Sequence, residues 1–310
     1  MTTPSHMQPS RKDAHMSAAS LTKMLASQTA ALDAVTGAVE AIAIGAVVMA
    51  DVVRRGGTLQ YAAAGSSGLM ALADASELPG TFGIDQKQVA VHMAGGVPVN
   101  GIMPGDTEDS IDDAQRDAAK IAEGDAAIVI SASGTTPYAL AFAKTAKARG
   151  ADLICIANRP GSALLQVADV AIALPTAPEF VEGSTRLGAG TAQKVALNMM
   201  STQMGVLLGH VHEGMMVNLT PDNIKLRQRA AGIVCHISAV SASEAEQALQ
   251  LTGYNTKAAV LVARGLTVEN ALALLEKHDG LLSACLDDDA YSATTIPKTK
   301  SDFTPKGDLT

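Results

Sequence analysis

Tryptophan is absent from the 310 residues, and aromatic side chains make up only 3% of them. So few aromatics disfavour an all-β sandwich, whose strands draw heavily on them. Lys and Arg total 23 against 31 Asp and Glu, a formal charge of −8. The basic residues are scattered and form no cluster, so no nucleic-acid partner is expected. The three cysteines, Cys155, Cys235 and Cys285, have no metal-ligand spacing and are too few for a disulfide framework. They fit a reducing cytoplasm. No stretch reaches the ~20 uninterrupted apolar residues of a membrane span. The longest run near the amino terminus is broken by Glu40 and Asp51 and lacks the charged start and cleavage pattern of a secretion signal. A cytoplasmic location with no membrane partner is therefore expected. Residues 4–8, PSHMQ, are compatible with an expression-tag remnant. Phosphate-binding P-loop and G-x-G-x-x-G fingerprints are also missing. The seven histidines show no metal pattern. His210 and His212 would face apart on a helix, and His92 falls within a predicted strand as a core or edge residue. No metal and no cofactor are expected.

What is present is 47% apolar residues, rich in Ala, Gly and Met. That composition suits helices packed over a parallel sheet. Residues 17–53 carry apolar positions at helical spacing and predict one or two helices ended by Gly56-Gly57. TLQYAAAG (58–65) reads as a buried strand, followed by a helix over 66–75 capped by Ser66 or Ser67. The step repeats with AAIVISASG (126–134) and a helix over 136–150 with Pro137 at its start. VAVHMAG (89–95), ADLICIAN (151–158) and DVAIAL (169–174) add three strands. A helical pattern runs from Thr185 to about Gly209, and three short helical patterns fill 223–285. The organisation expected is a domain over 17–222, a small helical domain over 223–286 and a loosely ordered tail over 287–310.

Alternating strands and helices imply right-handed crossovers and a parallel sheet, with ligands outside the carboxyl ends of the strands. That places the turns 64–68, 131–136 and 157–161 on one rim. Two of them, AGSSG and SASGTT, are rich in hydroxyls and open helices. Backbone amides and hydroxyls there form an anion site without fixed positive charge, although Ser and Thr at such positions also serve simply as caps. Glu77 lies just past the first of these helices and Glu108 lies 31 residues further on. Two carboxylates in one cleft divide acid and base roles when their environments differ; the spacing does not show that they meet.

Three segments carry a family resemblance. AGSSGLMALADASELPGTFG (64–83), SASGTTPY (131–138) and EGSTRLGAGTAQKVALNMMST (182–202) resemble the N-acetylmuramic acid 6-phosphate etherases of the sugar isomerase (SIS) superfamily. The likeness runs from about residue 20 to 286. It implies a flavodoxin-like, three-layer αβα domain with amino-terminal helices and a small carboxy-terminal helical subdomain. It implies a homodimer whose active sites lie near the interface, and a small-molecule sugar phosphate as ligand. The implied reaction eliminates D-lactate from carbon 3 and adds water, giving N-acetylglucosamine 6-phosphate in cell-wall recycling. Glu77 then matches the family's acid and Glu108 its base. Ser66, Ser67, Ser131, Ser133, Thr135, Thr136 and Arg159 become the substrate- and phosphate-binding residues.

The chain departs from the family at three cations: Leu69 and Thr135 stand where an Arg is usual, and Gly188 where a Lys is usual. Arg159 replaces a usual Asn and restores one charge to the rim. MQPSRKDAH (7–15) and VPVNGIMP (97–104) are also atypical. These losses leave open an altered substrate. The alternatives are a non-catalytic sugar-phosphate sensor, as the glucokinase regulatory protein is, and an aldose–ketose isomerase sharing proton abstraction at carbon 2.

Overall fold

Strand β1 (Leu59–Ala63) is buried at every position, and so is β3 (Ala126–Ser131) beside it. Strands covered on both faces need continuous apolar runs rather than alternation, which LQYAA and AAIVIS supply. The computed structural model describes residues 18–288. In it β2 (Val89–Met93), β4 (Asp152–Ala157) and β5 (Val170–Ala173) complete a five-stranded sheet of order β2-β1-β3-β4-β5, every pair parallel. Ala63 pairs with both Met93 and Ile130, and Ser131 pairs with Ala157. Four strands therefore end together at one rim.

The pleat sends Leu59, Tyr61 and Ala63 into one core with Ile128, Ile130 and Ile154. That face is covered by α2 (Val39–Arg54), α3 (Gly65–Phe82) and α7 (Gly188–Leu207), with α1 (Ala18–Thr36) packed on α7. Ala62, Ala127, Val129 and Leu153 face the other core, closed by α4 (Ile111–Ala118), α5 (Pro137–Ala148) and α6 (Ala163–Val167). The three-layer expectation holds.

Several elements differ from the sequence reading. The helix expected over 66–75 runs to Phe82 with Pro79 inside it, so Glu77 sits within α3 and not beyond it. Neither Ser66 nor Ser67 caps α3; Ala64 occupies that position in extended conformation without a side-chain bond. Helix α7 starts at Gly188, leaving Thr185 in the preceding turn. Beyond a small hairpin, β6 (Val211–His212) and β7 (Met215–Met216), five helices stand where three were expected. They are α8 (Ile224–Ser238), α9 (Ala242–Leu251), α10 (Thr256–Ala263), α11 (Val268–Lys277) and α12 (Leu282–Leu286). Side-chain caps from Asn223, Ser241, Asn255 and Thr267 start four of them. Gly253, Gly265 and Gly280, all at positive φ, mark three of the breaks between these helices, and Ala239 at positive φ makes the break between α8 and α9 without a glycine. These helices enclose a core of their own. The stretches 4–8 and 7–15, and the tail from residue 289, lie outside the described residues. No single helix among the described residues is long and apolar enough to cross a membrane.

The helical region is clasped to the end of α7. Gly209 has no room for a side chain against Leu281. Buried Lys257 donates from Nζ to the Gly280 carbonyl at 2.8 Å, and burial lowers its pKa to about 8. His210 lies beside it with Nδ1 unpartnered. Burial, and then the Lys257 charge, hold His210 down to about 4, against a backbone hydrogen bond to Phe82. A histidine kept neutral when folded takes its proton first in the unfolded chain. Its contribution to stability is full above about 6.5 and is lost as pH falls toward about 4. The loss at most approaches about 3 kcal/mol, reduced by solvent screening of a partly exposed ring. Urea unfolding of the protein and of His210→Gln between those pH values should show the steeper decline in the unmodified chain; parallel curves would remove His210 from the account.

Candidate active site

The order of the strands reverses between β1 and β3, and crevices at such switch points are where open α/β sheets take ligands. The two hydroxyl-rich turns flank that crevice. From β1 the chain turns at Gly65, whose φ of +56° suits glycine, directly into α3. The first-turn amides of Ser66 and Ser67 have no acceptor one turn back, and their hydroxyls are not drawn into a cap.

From β3 the chain passes through Ser131, Ser133 and Thr136, whose hydroxyls form a triangle. Ser131 Oγ lies 2.9 Å from Thr136 Oγ1, and Ser133 Oγ lies 3.4 Å from each. The Gly134 amide donates to Ser131 Oγ at 3.1 Å, and the Thr135 amide to Ser133 Oγ at 3.2 Å. Gly134 is at φ +63°, and a Cβ there would collide with the Ser162 hydroxyl. Pro137 opens α5 immediately afterwards, where its missing N–H costs nothing.

Between the turns lies a pocket of about 380 Å³, lined by Ser66, Ser67, Ser131, Ser133, Thr136 and Glu108 among others. Glu108 is held by a bond from the Tyr138 amide to its carbonyl, 2.9 Å, and its Oε1 faces Gly65. Met103, Pro104, Thr107 and Thr185 complete the wall. Met103 and Pro104 end the atypical stretch 97–104 and Thr185 lies within the EGSTR segment, but none of the four was expected in the site.

Three residues expected in the site lie elsewhere. Thr135 is exposed and turned to Ser133, bonding its Oγ at 3.1 Å instead of lining the pocket. Arg159 lines a neighbouring pocket. Glu77 is twelve residues into α3, about 18 Å along the axis from its start. It is exposed on a stripe with Leu69, Ala73 and Ser76. One turn before it, buried Asp74 accepts hydrogen bonds from Tyr61 (3.0 Å), Asn198 (2.8 Å) and Ser201 (2.9 Å). This fixes α3 on both β1 and α7. Burial raises the Asp74 carboxyl, opposed by those three donors, and raises the Tyr61 phenol well above its usual value.

Gly188 begins α7, and its amide and that of Ala189 donate to the two carboxylate oxygens of Glu179 at 2.8 and 3.0 Å. A Cβ at 188 would lie 3.2 Å from Glu179 Oε2, so a side chain there would shift the carboxylate by a few tenths of an ångström. Among the described residues no group of three His, Cys, Asp or Glu is arranged to hold a metal ion.

The SIS domain model matches residues 103–207. Proteins of Yersinia pestis (strain Pestoides F) and Yersinia pseudotuberculosis (serotype I, strain IP32953), each named N-acetylmuramic acid 6-phosphate etherase, are 37% identical over 264 residues, covering 82% of this chain and 87% of theirs. A phosphoheptose isomerase structure from Francisella tularensis superposes with a TM-score of 0.46 at 18% identity, over 62% of this chain and 100% of that one.

The hydroxyl triangle generates a binding prediction. Titration calorimetry with inorganic phosphate should give weaker binding for Ser133→Ala by roughly tenfold, the value of one hydrogen bond to a charged group. Circular dichroism should be unchanged. Equal affinities would place the anion away from this turn.

Proposed function

The chain belongs to the N-acetylmuramic acid 6-phosphate etherase family, and from that premise we propose that it is a carbon–oxygen lyase removing the D-lactyl ether from an amino-sugar 6-phosphate. The observation that carries this reading is the Glu108 carboxylate bordering the same pocket as the hydroxyls and amides of the two turns. The phosphate lies in that cradle, at the start of α3. The ring-opened sugar presents an aldehyde at carbon 1, which acidifies the hydrogen at carbon 2. Glu108 takes that proton. The electron pair forms the carbon 2–carbon 3 double bond as the carbon 3–oxygen bond breaks, and a second acid protonates the departing lactate. Water then adds at carbon 3 and the proton returns to carbon 2. A regulator that only sensed the sugar phosphate would not require a carboxylate here.

The second acid is Glu77, delivered by a second copy of the chain. Its distance along α3 keeps it from the pocket of its own subunit, while its stripe faces outward. Exposed apolar residues Val39, Ile44 and Val47 on α2, with Met199 and Val206 on α7, support a dimer. A groove of about 500 Å³ between these helices is available to the partner. Cells would use such an enzyme in the cytoplasm to recycle cell-wall sugar. Because no Lys or Arg among the described residues lines the Glu108 pocket, a phosphate there rests on neutral donors, which discriminate less sharply for a dianion. That supports a substrate preference differing from the family's.

Release of lactate from N-acetylmuramic acid 6-phosphate tests the reaction. Glu108→Gln should abolish it together with exchange of the carbon 2 hydrogen in heavy water. Glu77→Gln should lose lactate release as well. Mixing and reassociating equal amounts of the two inactive variants should restore about a quarter of the sites, because each hybrid dimer then has one complete site. No recovery in verified hybrids would mean that both glutamates serve from one chain.

A further inference from the structure

The Glu108 pocket adjoins a second one of about 440 Å³, and the two share Ala132, Ser133 and Thr185. Their chemistry differs. The first offers hydroxyls and amides beside the Glu108 carboxylate, and no Lys or Arg of the described residues lines it. The second is walled by Pro160, Pro175 and Pro178 and holds two ionic groups, Arg159 and Glu179. Glu179 is already committed: both carboxylate oxygens accept amides at the start of α7, whose dipole offsets its charge. Arg159 is exposed beside the pocket, and its guanidinium has no ion pair or hydrogen bond among the described residues. The charge that this second pocket presents to a ligand is therefore that of Arg159. Behind it, Asn158 is held by Gln193, Nε2 to Oδ1 at 2.8 Å, which fixes the backbone from which Arg159 projects.

Resting on the reaction proposed above, we infer that this second pocket is the subsite for the carboxylate of the substrate's lactyl group, read by Arg159. The substrate carries two anions. The phosphate fits a nest of many short neutral donors, whereas a planar carboxylate matches the fork of a guanidinium. With Ser133 on the shared wall, one molecule places its phosphate in the first pocket and its acidic substituent in the second. Arg159 is thus a binding residue for the leaving group and not for the phosphate.

Calorimetry on Glu108→Gln protein, which leaves the ether intact, tests this with three ligands: N-acetylmuramic acid 6-phosphate, its lactyl amide and N-acetylglucosamine 6-phosphate. Adding Arg159→Gln should weaken the first by roughly tenfold, the low end for a charge-assisted bond at an exposed site. It should leave the other two unchanged, and Arg159→Lys should recover part of the loss. Equal weakening of all three ligands would assign Arg159 to the phosphate and overturn the subsite, as would no change with any. Lactate release by the unmodified enzyme is measured alongside. Its absence, with the ligand-specific difference intact, overturns the reaction and leaves the carboxylate subsite standing.

Discussion

The parallel pairing of β1 with β3 is the constraint on which the site depends. Parallel strands need crossovers, and those leaving β1 and β3 enter helices that begin within a few residues of the strand ends. In-register pairing of Ala63 with Ile130 brings the starts of α3 and α5 side by side. Full burial of both strands holds that register, since a slip of one residue would exchange the residues of the two cores. The hydroxyls of two distant turns become neighbours as a result.

That arrangement gathers neutral donors around a pocket that no Lys or Arg of the described residues lines. Unbonded first-turn amides and oriented hydroxyls are fixed by the backbone, so they need little reorganisation on binding. The departures from the family are structurally coherent. Glu179 accepts the amides of Gly188 and Ala189 at the start of α7, and Arg159 lines the adjoining pocket. Asp74 plays a corresponding part for α3. Three hydrogen bonds to one buried carboxyl fix the rotation of the helix, and with it the outward direction of the stripe bearing Glu77.

The helical region at the carboxyl end follows a different logic. Four of its five helices are capped by polar side chains, and they gain stability by packing on one another. Contact with the rest of the chain is made at Gly209, His210 and Lys257, where a neutral histidine and a buried amine meet the turn at Gly280.

Local patterns in the sequence determined the strands, the alternation with helices and the rim on which the hydroxyl-rich turns lie. Continuous apolar runs and Gly-bounded turns act over a few residues and are visible there. Ser66, Ser67, Ser131, Ser133, Thr136 and Glu108 were legible for that reason, or from the family likeness that their segments carry. The extent of α3 was not: packing against α7 carries the helix beyond residue 75, through Pro79, to Phe82. The division of 223–285 into five helices was harder to read, because Ala239 breaks α8 from α9 without a glycine and the helices on either side of the other breaks are short. Only the tertiary structure decided that Thr135 turns away, that Arg159 belongs to a second pocket, and that Glu77 faces outward far along its helix. Each of these depends on which groups meet across long stretches of chain, and spacing along a sequence does not encode the direction in which a folded side chain points.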